Sequence, residues 1–301
     1  MHTPTCERVT GSWTASEAVV FATRQLREAG IESPGLDARL LVGAALGLRA
    51  EQLIARPDLP VGPEAQKTIE GYLNRRLAHE PVSRILGSRG FYGRMFEISP
   101  ATLDPRPETE TLIEAALGLV NERKSDPAKP IRILDIGTGS GCLLITLLAE
   151  LPNSIGLGTD ISVEALEIAR RNALKHAVKS RAEFRLARSL EGIAGPFDLV
   201  VANPPYIPTG DIEGLAPEVR DFDPRSALDG GVDGLDVYRE IAKNLVRVVP
   251  EGWAIFEVGA GQATAVAKIL DECRVETARP QIRTFRDLLG IDRCVAWKAR
   301  S

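Results

Sequence analysis

The chain has 301 residues, 44% of them hydrophobic and 26% charged, and a net charge of −4. That composition supplies the core of one or two soluble domains, and its mild acidity argues against a broad basic face for gripping bare nucleic acid. Cys6, Cys142, Cys273 and Cys294 stand far apart with no CxxC pair, no apolar run nears the roughly 20 residues that span a bilayer, and Met1–Ser12 has no apolar stretch for a secretory signal, so the reading is a cytoplasmic chain without disulfides, zinc or membrane contact.

Residues 14–80 read as helices broken by turns. Thr14 or Ser16 can cap a helix whose apolar positions Val19, Val20, Leu26 and Ala29 recur at near-helical spacing, with Gly30 as its stop. Ser33-Pro34-Gly35 is a turn, Leu36–Leu48 a second amphipathic stretch, and Glu64–Ala78 a further helix. Residues 1–80 hold 9 Lys plus Arg against 10 Asp plus Glu, which is no basic DNA-reading domain. The pattern changes near Pro81: Ile85-Leu86-Gly87, Phe91-Tyr92-Gly93 and Met95–Ile98 predict two short strands and a turn. The expected division is a helical bundle over 1–82, a hairpin linker over 83–104 and an α/β part over 105–301.

In that last part short apolar strands, Ile131–Ile136, Ser154–Gly158, Glu183–Leu186, Phe197–Ala202 and Trp253–Val258, alternate with helical stretches. Alternation of buried strands with helices predicts a parallel doubly wound sheet. Arg274–Ala278 and Arg293–Lys298 could add an antiparallel pair at one edge.

Asp135-Ile136-Gly137-Thr138-Gly139-Ser140-Gly141 follows the first of these strands and leads into a helix at Cys142–Leu151. Glycines let the backbone turn sharply and let a ligand approach without meeting a Cβ. The spacing is G-x-G-x-G, not the dinucleotide fingerprint G-x-G-x-x-G, and such a loop can also be only a tight strand-to-helix turn. Asp160 closes the second strand a little over 20 residues past the first glycine, where a carboxylate can accept both hydroxyls of an adenosine ribose. Alone it could be a solvated loop acid or a neighbour of the Ser162 helix cap; with the loop it points to a nucleoside site.

Asn203-Pro204-Pro205-Tyr206 follows the fourth strand, at a carboxyl end, where open α/β sheets bind ligands. A proline-rich turn is the bland reading. The composition nevertheless suits a planar NH₂ group, whose delocalised lone pair attacks poorly. The Asn203 side-chain oxygen can accept one N–H and the Pro204 carbonyl the other, and neither proline has an N–H to compete. Fixing both hydrogens aims the nitrogen, so catalysis is largely positioning with electrostatic help as charge develops. The Tyr206 ring can flank the planar group or merely pack in the wall.

DIGTGSG, the stretch DISVEALEIARRN from Asp160 to Asn172, and NPPY together resemble a class I methyltransferase of the amide/amino type, whose members act on adenine N6, cytosine N4 or glutamine N5. Phe91-Tyr92-Gly93 and Pro105-Arg106-Pro107-Glu108-Thr109-Glu110, with the helical N-terminal part and the hairpin, are similar to the bacterial release factor glutamine methyltransferases (the PrmC/HemK family) over nearly the whole chain. Relatives that methylate a large-subunit ribosomal protein carry a PRSP-like segment where this chain has Pro107-Glu108-Thr109-Glu110.

The resemblance implies a Rossmann-like class I methyltransferase sheet joined through a β-hairpin to a substrate-docking helical domain. It implies S-adenosyl-L-methionine as cofactor, held by Asp135, Gly137, Thr138, Gly139, Ser140, Gly141, Asp160, Ile161, Leu190 and Asn203. Catalysis falls to Asn203, Pro204 and Tyr206, and substrate binding to these with Pro205, Phe91, Arg106 and Glu108. The implied substrate is the Gln of the Gly-Gly-Gln motif of peptide chain release factors, acted on by a monomer that binds no metal. The alternatives are a ribosomal-protein glutamine, or an adenine N6 of nucleic acid. The second would need base flipping and phosphate contacts, for which no target-recognition domain is evident.

Two segments depart from the family pattern. Thr102-Leu103-Asp104 stands where many members have a more apolar Leu-Ile, and Arg188-Ser189-Leu190 stands where an Asp-Trp pair often lies near the adenine. Leu190 is left to cover the adenine face, and Ser189 cannot supply a carboxylate. Glu257-Val258-Gly259 with Gln262 resembles the family's E-x-G-x-x-Q segment, most simply a glycine turn. His79 and His176 are isolated and read as surface residues. Arg225–Leu228 and Gly230-Gly231 lie in a long loop suited to closing over a substrate, or simply in a surface excursion.

Overall fold

In the computed structural model of the chain, Thr14 starts the first helix, α1 (Ala15–Glu28), with a capping box. Its hydroxyl accepts from the Glu17 N–H at 3.3 Å and the Glu17 carboxylate accepts from the Thr14 N–H at 2.8 Å, satisfying two donors a helix start leaves open. Residues 13–122, 129–273 and 279–299 are described. They fall into two units: one runs up to Gly87 and includes Ala216–Phe222, and the other is Ser88–Leu215 with the residues from Asp223 on.

The first unit is helical: α1 is followed by α2 (Pro34–Ala45), α3 (Ala50–Ile54), α4 (Pro63–Leu77) and α5 (Val82–Leu86). Pro34 and Pro63 sit in the first turns of their helices, where a missing N–H costs nothing. Leu26, Leu41, Ile69 and Leu73 are fully buried and form its core. A short ladder pairs β1 (Trp13–Thr14) with β2 (Pro60–Val61). Arg76 is 7% exposed, and a buried cation needs partners; Asp37 lies at 2.8 Å and Glu218 at 3.2 Å. Ile85-Leu86-Gly87, expected as strand, instead forms the end of α5. Ile85 is buried in this unit's core, and Gly87 in the left-handed conformation (φ 67°) stops the helix.

The second unit begins with the hairpin β3 (Ser88–Phe91) and β4 (Arg94–Glu97), joined by Tyr92-Gly93, both at positive φ, the two-residue turn that matches strand twist. Phe91 and Phe96 are buried with Leu112 and Ile113 of α6 (Glu110–Asn121), so the hairpin groups with the sheet. The chain continues through β5 (Ile131–Ile136), α7 (Cys142–Glu150), β6 (Ser154–Asp160), α8 (Val163–Lys175), β7 (Ala182–Leu186) and β8 (Leu199–Ala202). After α9 (Pro217–Arg220), which belongs to the first unit, come α10 (Asp236–Ala242), α11 (Leu245–Val248), β9 (Trp253–Glu257), α12 (Ala263–Asp271), β10 (Gln281–Arg286) and β11 (Asp292–Lys298).

The sheet order is β10-β11-β9-β8-β5-β6-β7. Strands β5 to β9 are parallel, and β11 runs antiparallel to β9 and β10. Of the edge pair expected at the tail, Arg293–Lys298 falls within β11, but its antiparallel partner is Gln281–Arg286; Arg274–Ala278 lies outside the described residues. The path leaves β5 toward β6 and β7 and returns on its other side at β8. Ligand crevices form at such a switch between neighbouring parallel strands. Among the described residues no helix is long and apolar enough to cross a membrane.

Candidate functional site

The glycine loop follows β5 and the tetrapeptide follows β8, so sheet order alone brings residues 137–141 beside residues 203–206. A cavity of about 430 Å³ opens there. Gly137 (φ 70°) and Gly139 (φ 54°) take left-handed backbone, and a Cβ on either would meet nothing within 4 Å. Conformation and open ligand space, not crowding, therefore call for glycine. The Asp160 carboxylate fixes the loop: one oxygen accepts from the Gly139 N–H and the other from the Ser162 N–H, both at 2.9 Å. Burial pushes this carboxyl above its ordinary range, and the backbone N–H bonds oppose the shift.

Beneath the loop Asp135 is fully buried and accepts from the Thr138 hydroxyl at 2.6 Å. Burial raises its carboxyl to about 7 against that hydrogen bond. Asn172, at the far end of the DISVEALEIARRN stretch, is buried on α8. It donates to the Ser140 and Glu97 carbonyls, each at 2.9 Å, and accepts from the Glu97 N–H at 2.8 Å. One amide thus ties the glycine loop to the hairpin.

On the β8 side, Asn203 Nδ2 donates to Thr109 Oγ1 at 3.3 Å. Thr109 in turn hydrogen-bonds to the buried Glu257 carboxylate, which burial raises to about 7 while Thr109 and Arg293 pull it down. The Tyr206 carbonyl accepts from Gln262 Nε2 at 2.9 Å. Arg106 pairs with Asp223, whose carboxylate also accepts from the Asp104 N–H.

Of the residues picked out in the sequence, the cavity wall gathers the loop at Gly137–Ser140, Asp160 and Ile161, Arg106, and Asn203 to Pro205. Six others stand elsewhere. Asp135 and Gly141 support the loop from behind. Phe91 is buried in the core under the hairpin, and Glu108 is exposed off the wall. The Tyr206 ring packs against the core on one sheet face, and burial lifts its hydroxyl to about 12. Leu190 is only 2% exposed and joins that same core; Ala187, Arg188 and Ser189 line the cavity in its place. Ser189 has φ 50°, which turns the next side chain inward.

Sequence reasoning assigned no role to Thr109, although it lies inside the quoted PRPETE run. It also missed Pro224 and Asp229 in the loop after the tetrapeptide, and Val237 and Glu240 on α10, which complete the wall. The length of the loop was the only signal for the first two. Among the described residues no cluster of three or more His, Cys, Asp or Glu side chains is placed to hold a metal.

Residues 17–87 match the family model of the PrmC N-terminal domain, and residues 118–215 that of the methyltransferase small domain. A release factor glutamine methyltransferase of Rhodospirillum rubrum is 45% identical over 281 residues, covering 92% of this chain and 82% of its own. That of Bradyrhizobium diazoefficiens is 45% identical over 288 residues and 95% of each chain. Among solved structures, the catalytic domain of human METTL16 in complex with the MAT2A 3′UTR hairpin 6 superposes with a TM-score of 0.53 at 15% identity, covering 67% of this chain and 74% of that one, a likeness of fold alone. With 45% identity to such relatives over nearly its whole length, and a helical domain followed in sequence by a class I methyltransferase sheet, the chain belongs to the release factor glutamine methyltransferase family.

Proposed function

We propose that the chain methylates the side-chain nitrogen, N5, of the glutamine in the Gly-Gly-Gln motif of peptide chain release factors, in the cytoplasm, using S-adenosyl-L-methionine. The site fits that cofactor: open glycine backbone on one side, the Asp160 carboxylate at the next strand end, and apolar contact from Leu103, Ile136 and Val237. When bound, the cofactor supplies an electrophilic methyl group on a sulfonium. The protein's own residues bind it, hold the amide and exclude water. The helical unit, matching the PrmC N-terminal domain, is assigned to docking the protein substrate.

One hydrogen bond supports the catalytic assignment most directly. Because Asn203 Nδ2 donates to Thr109, the Asn203 oxygen is left to accept an N–H from the substrate amide. The Pro204 carbonyl, on the same wall, is assigned the second N–H. Acceptors on both hydrogens orient the nitrogen and stabilise the positive charge that grows on it as the new C–N bond forms. Forming that bond would break the methyl–sulfur bond and leave the cofactor as the neutral thioether, and the proton lost from the nitrogen would pass to solvent water, since neither acceptor oxygen is basic enough to keep it. The test is transfer of tritiated methyl from labelled cofactor to purified release factor, ribosomal protein or DNA. Label in the release-factor glutamine is expected; label only in ribosomal protein or DNA would overturn the reading.

A further inference from the structure

The end of β9 and the turn that follows it hold the catalytic tetrapeptide at both ends. At one end Gln262 accepts from the Gly259 N–H at 3.0 Å and donates to the Tyr206 carbonyl at 2.9 Å. At the other, Glu257 reaches Asn203 through Thr109. The Tyr238 hydroxyl donates to the Glu257 carbonyl at 2.7 Å and fixes the backbone from which that carboxylate springs. Glu257 is 1% exposed, and its Oε2 is buried without a hydrogen-bond partner. A fold that needed only packing here would be better served by an apolar side chain, since a half-satisfied buried carboxylate is costly.

The sense of the hydrogen bonds gives Glu257 a task. A hydroxyl has one proton. If Thr109 donates it to Glu257, the Thr109 oxygen can only accept from Asn203, so the NH₂ end of the Asn203 amide must face it. The amide oxygen then points the other way. Without an acceptor at Glu257, Thr109 can donate to the Asn203 oxygen instead, and the amide turns over. It would then present N–H groups to a substrate that itself offers N–H groups.

We propose that Glu257 and Thr109 are positioning residues that set the polarity of the Asn203 amide, so that its oxygen faces the substrate nitrogen. This rests on the glutamine-methyltransferase reading above. Protonating Glu257 reverses the chain, because the acid then donates to Thr109. The charged groups facing Glu257 are Arg106 and Glu108 from the segment before α6 and Arg293 from β11. Tyr206, Tyr238, Cys142 and Cys294 also feel its charge, and burial raises all four further above neutrality. Glu257 is thus the group of this set that titrates near 7, and turnover should rise with pH through that value.

The test is steady-state kinetics of the full chain with release factor at saturating cofactor, alongside calorimetric cofactor affinity. Thr109→Val keeps the shape and removes the hydroxyl; kcat should fall about 10- to 100-fold while cofactor affinity stays within about twofold, the pattern of lost positioning. Thr109→Ser should restore most of that loss. In Glu257→Gln the acid limb of kcat near 7 should vanish, since the amide oxygen accepts at every pH. Wild-type kcat in Thr109→Val, a matching fall in its cofactor affinity, or an unchanged acid limb in Glu257→Gln would overturn the proposal. A wild-type chain that labels no release factor would instead overturn the functional reading beneath it.

Discussion

The two walls of the cavity are built by different means. The glycine-loop wall is made of backbone: positive-φ glycines after β5, with Asp160 one strand away holding the Gly139 N–H. The tetrapeptide wall is held by contacts borrowed from afar. Asn203 is set by Thr109, 94 positions earlier in the chain, and the Tyr206 carbonyl by Gln262, 56 positions later. A backbone site is written in consecutive residues and tolerates change around it. A borrowed orientation fails when any contributor changes, and it fails in turnover before binding.

The sharpest way to break this contrast is at Asn203. Asn203→Ala removes the acceptor that the mechanism assigns to the reacting nitrogen. Loss of one such group costs on the order of 10²–10³ in kcat, with cofactor affinity kept; single-turnover rates beside calorimetry separate the two. Asn203→Asp should also be substantially impaired, because the single Thr109 proton would then be shared between two carboxylates. Near wild-type turnover in the folded alanine variant would mean that the nitrogen is held by something else.

Asp160→Ala addresses the opposite wall. It removes the acceptor for the Gly139 N–H and the one assigned to the ribose hydroxyls, a loss of about 1.5–3 kcal/mol, or roughly 10- to 150-fold in cofactor affinity. Turnover at saturating cofactor should fall much less. Unchanged affinity by calorimetry would remove Asp160 from the site.

Asn172→Ala removes the tie between the glycine loop and the hairpin. Stripping three hydrogen bonds, the one to Ser140 buried and the two with Glu97 half-buried, should lower stability by about 1–3 kcal/mol, read from denaturant midpoints. A midpoint equal to wild type would show that the hairpin and loop are held by packing alone.

A separate effect is the pH dependence of Asp135. A carboxyl raised in the folded state binds its proton more tightly there than in the unfolded chain. Its stability contribution is therefore full below the ordinary carboxylate range and lost as pH rises through about 7. Asp135→Asn keeps an acceptor for Thr138 and should flatten the decline in stability between about pH 4 and pH 7. An identical slope in the variant would place the titration elsewhere.

What was legible from the sequence follows the same division. The glycine loop, Asp160 and the tetrapeptide could be read because their chemistry is local and each follows a recognisable strand. The helical start was legible to within two residues, Thr14 or Ser16, because a cap is a local signal, and the structure settles it on Thr14. Leu190 misled because a positive φ at Ser189 turns the chain, and no pattern of polarity announces that. Phe91 misled because strand alternation puts its ring in the core. Thr109, Glu257 and Asn172 could not be assigned beforehand: each acts on a partner dozens of positions away, and only the sheet order decides which partners meet.

The central claim is methylation of a release-factor glutamine by an Asn203-centred site. Its most direct test is mass spectrometry of a release factor after incubation with S-adenosyl-L-methionine and either the wild-type chain or Asn203→Ala. The account predicts one added methyl group, located by fragmentation on the glutamine of the Gly-Gly-Gln motif, with wild type and almost none with the variant. A methyl group on another residue, or equal methylation by the two proteins, would contradict it.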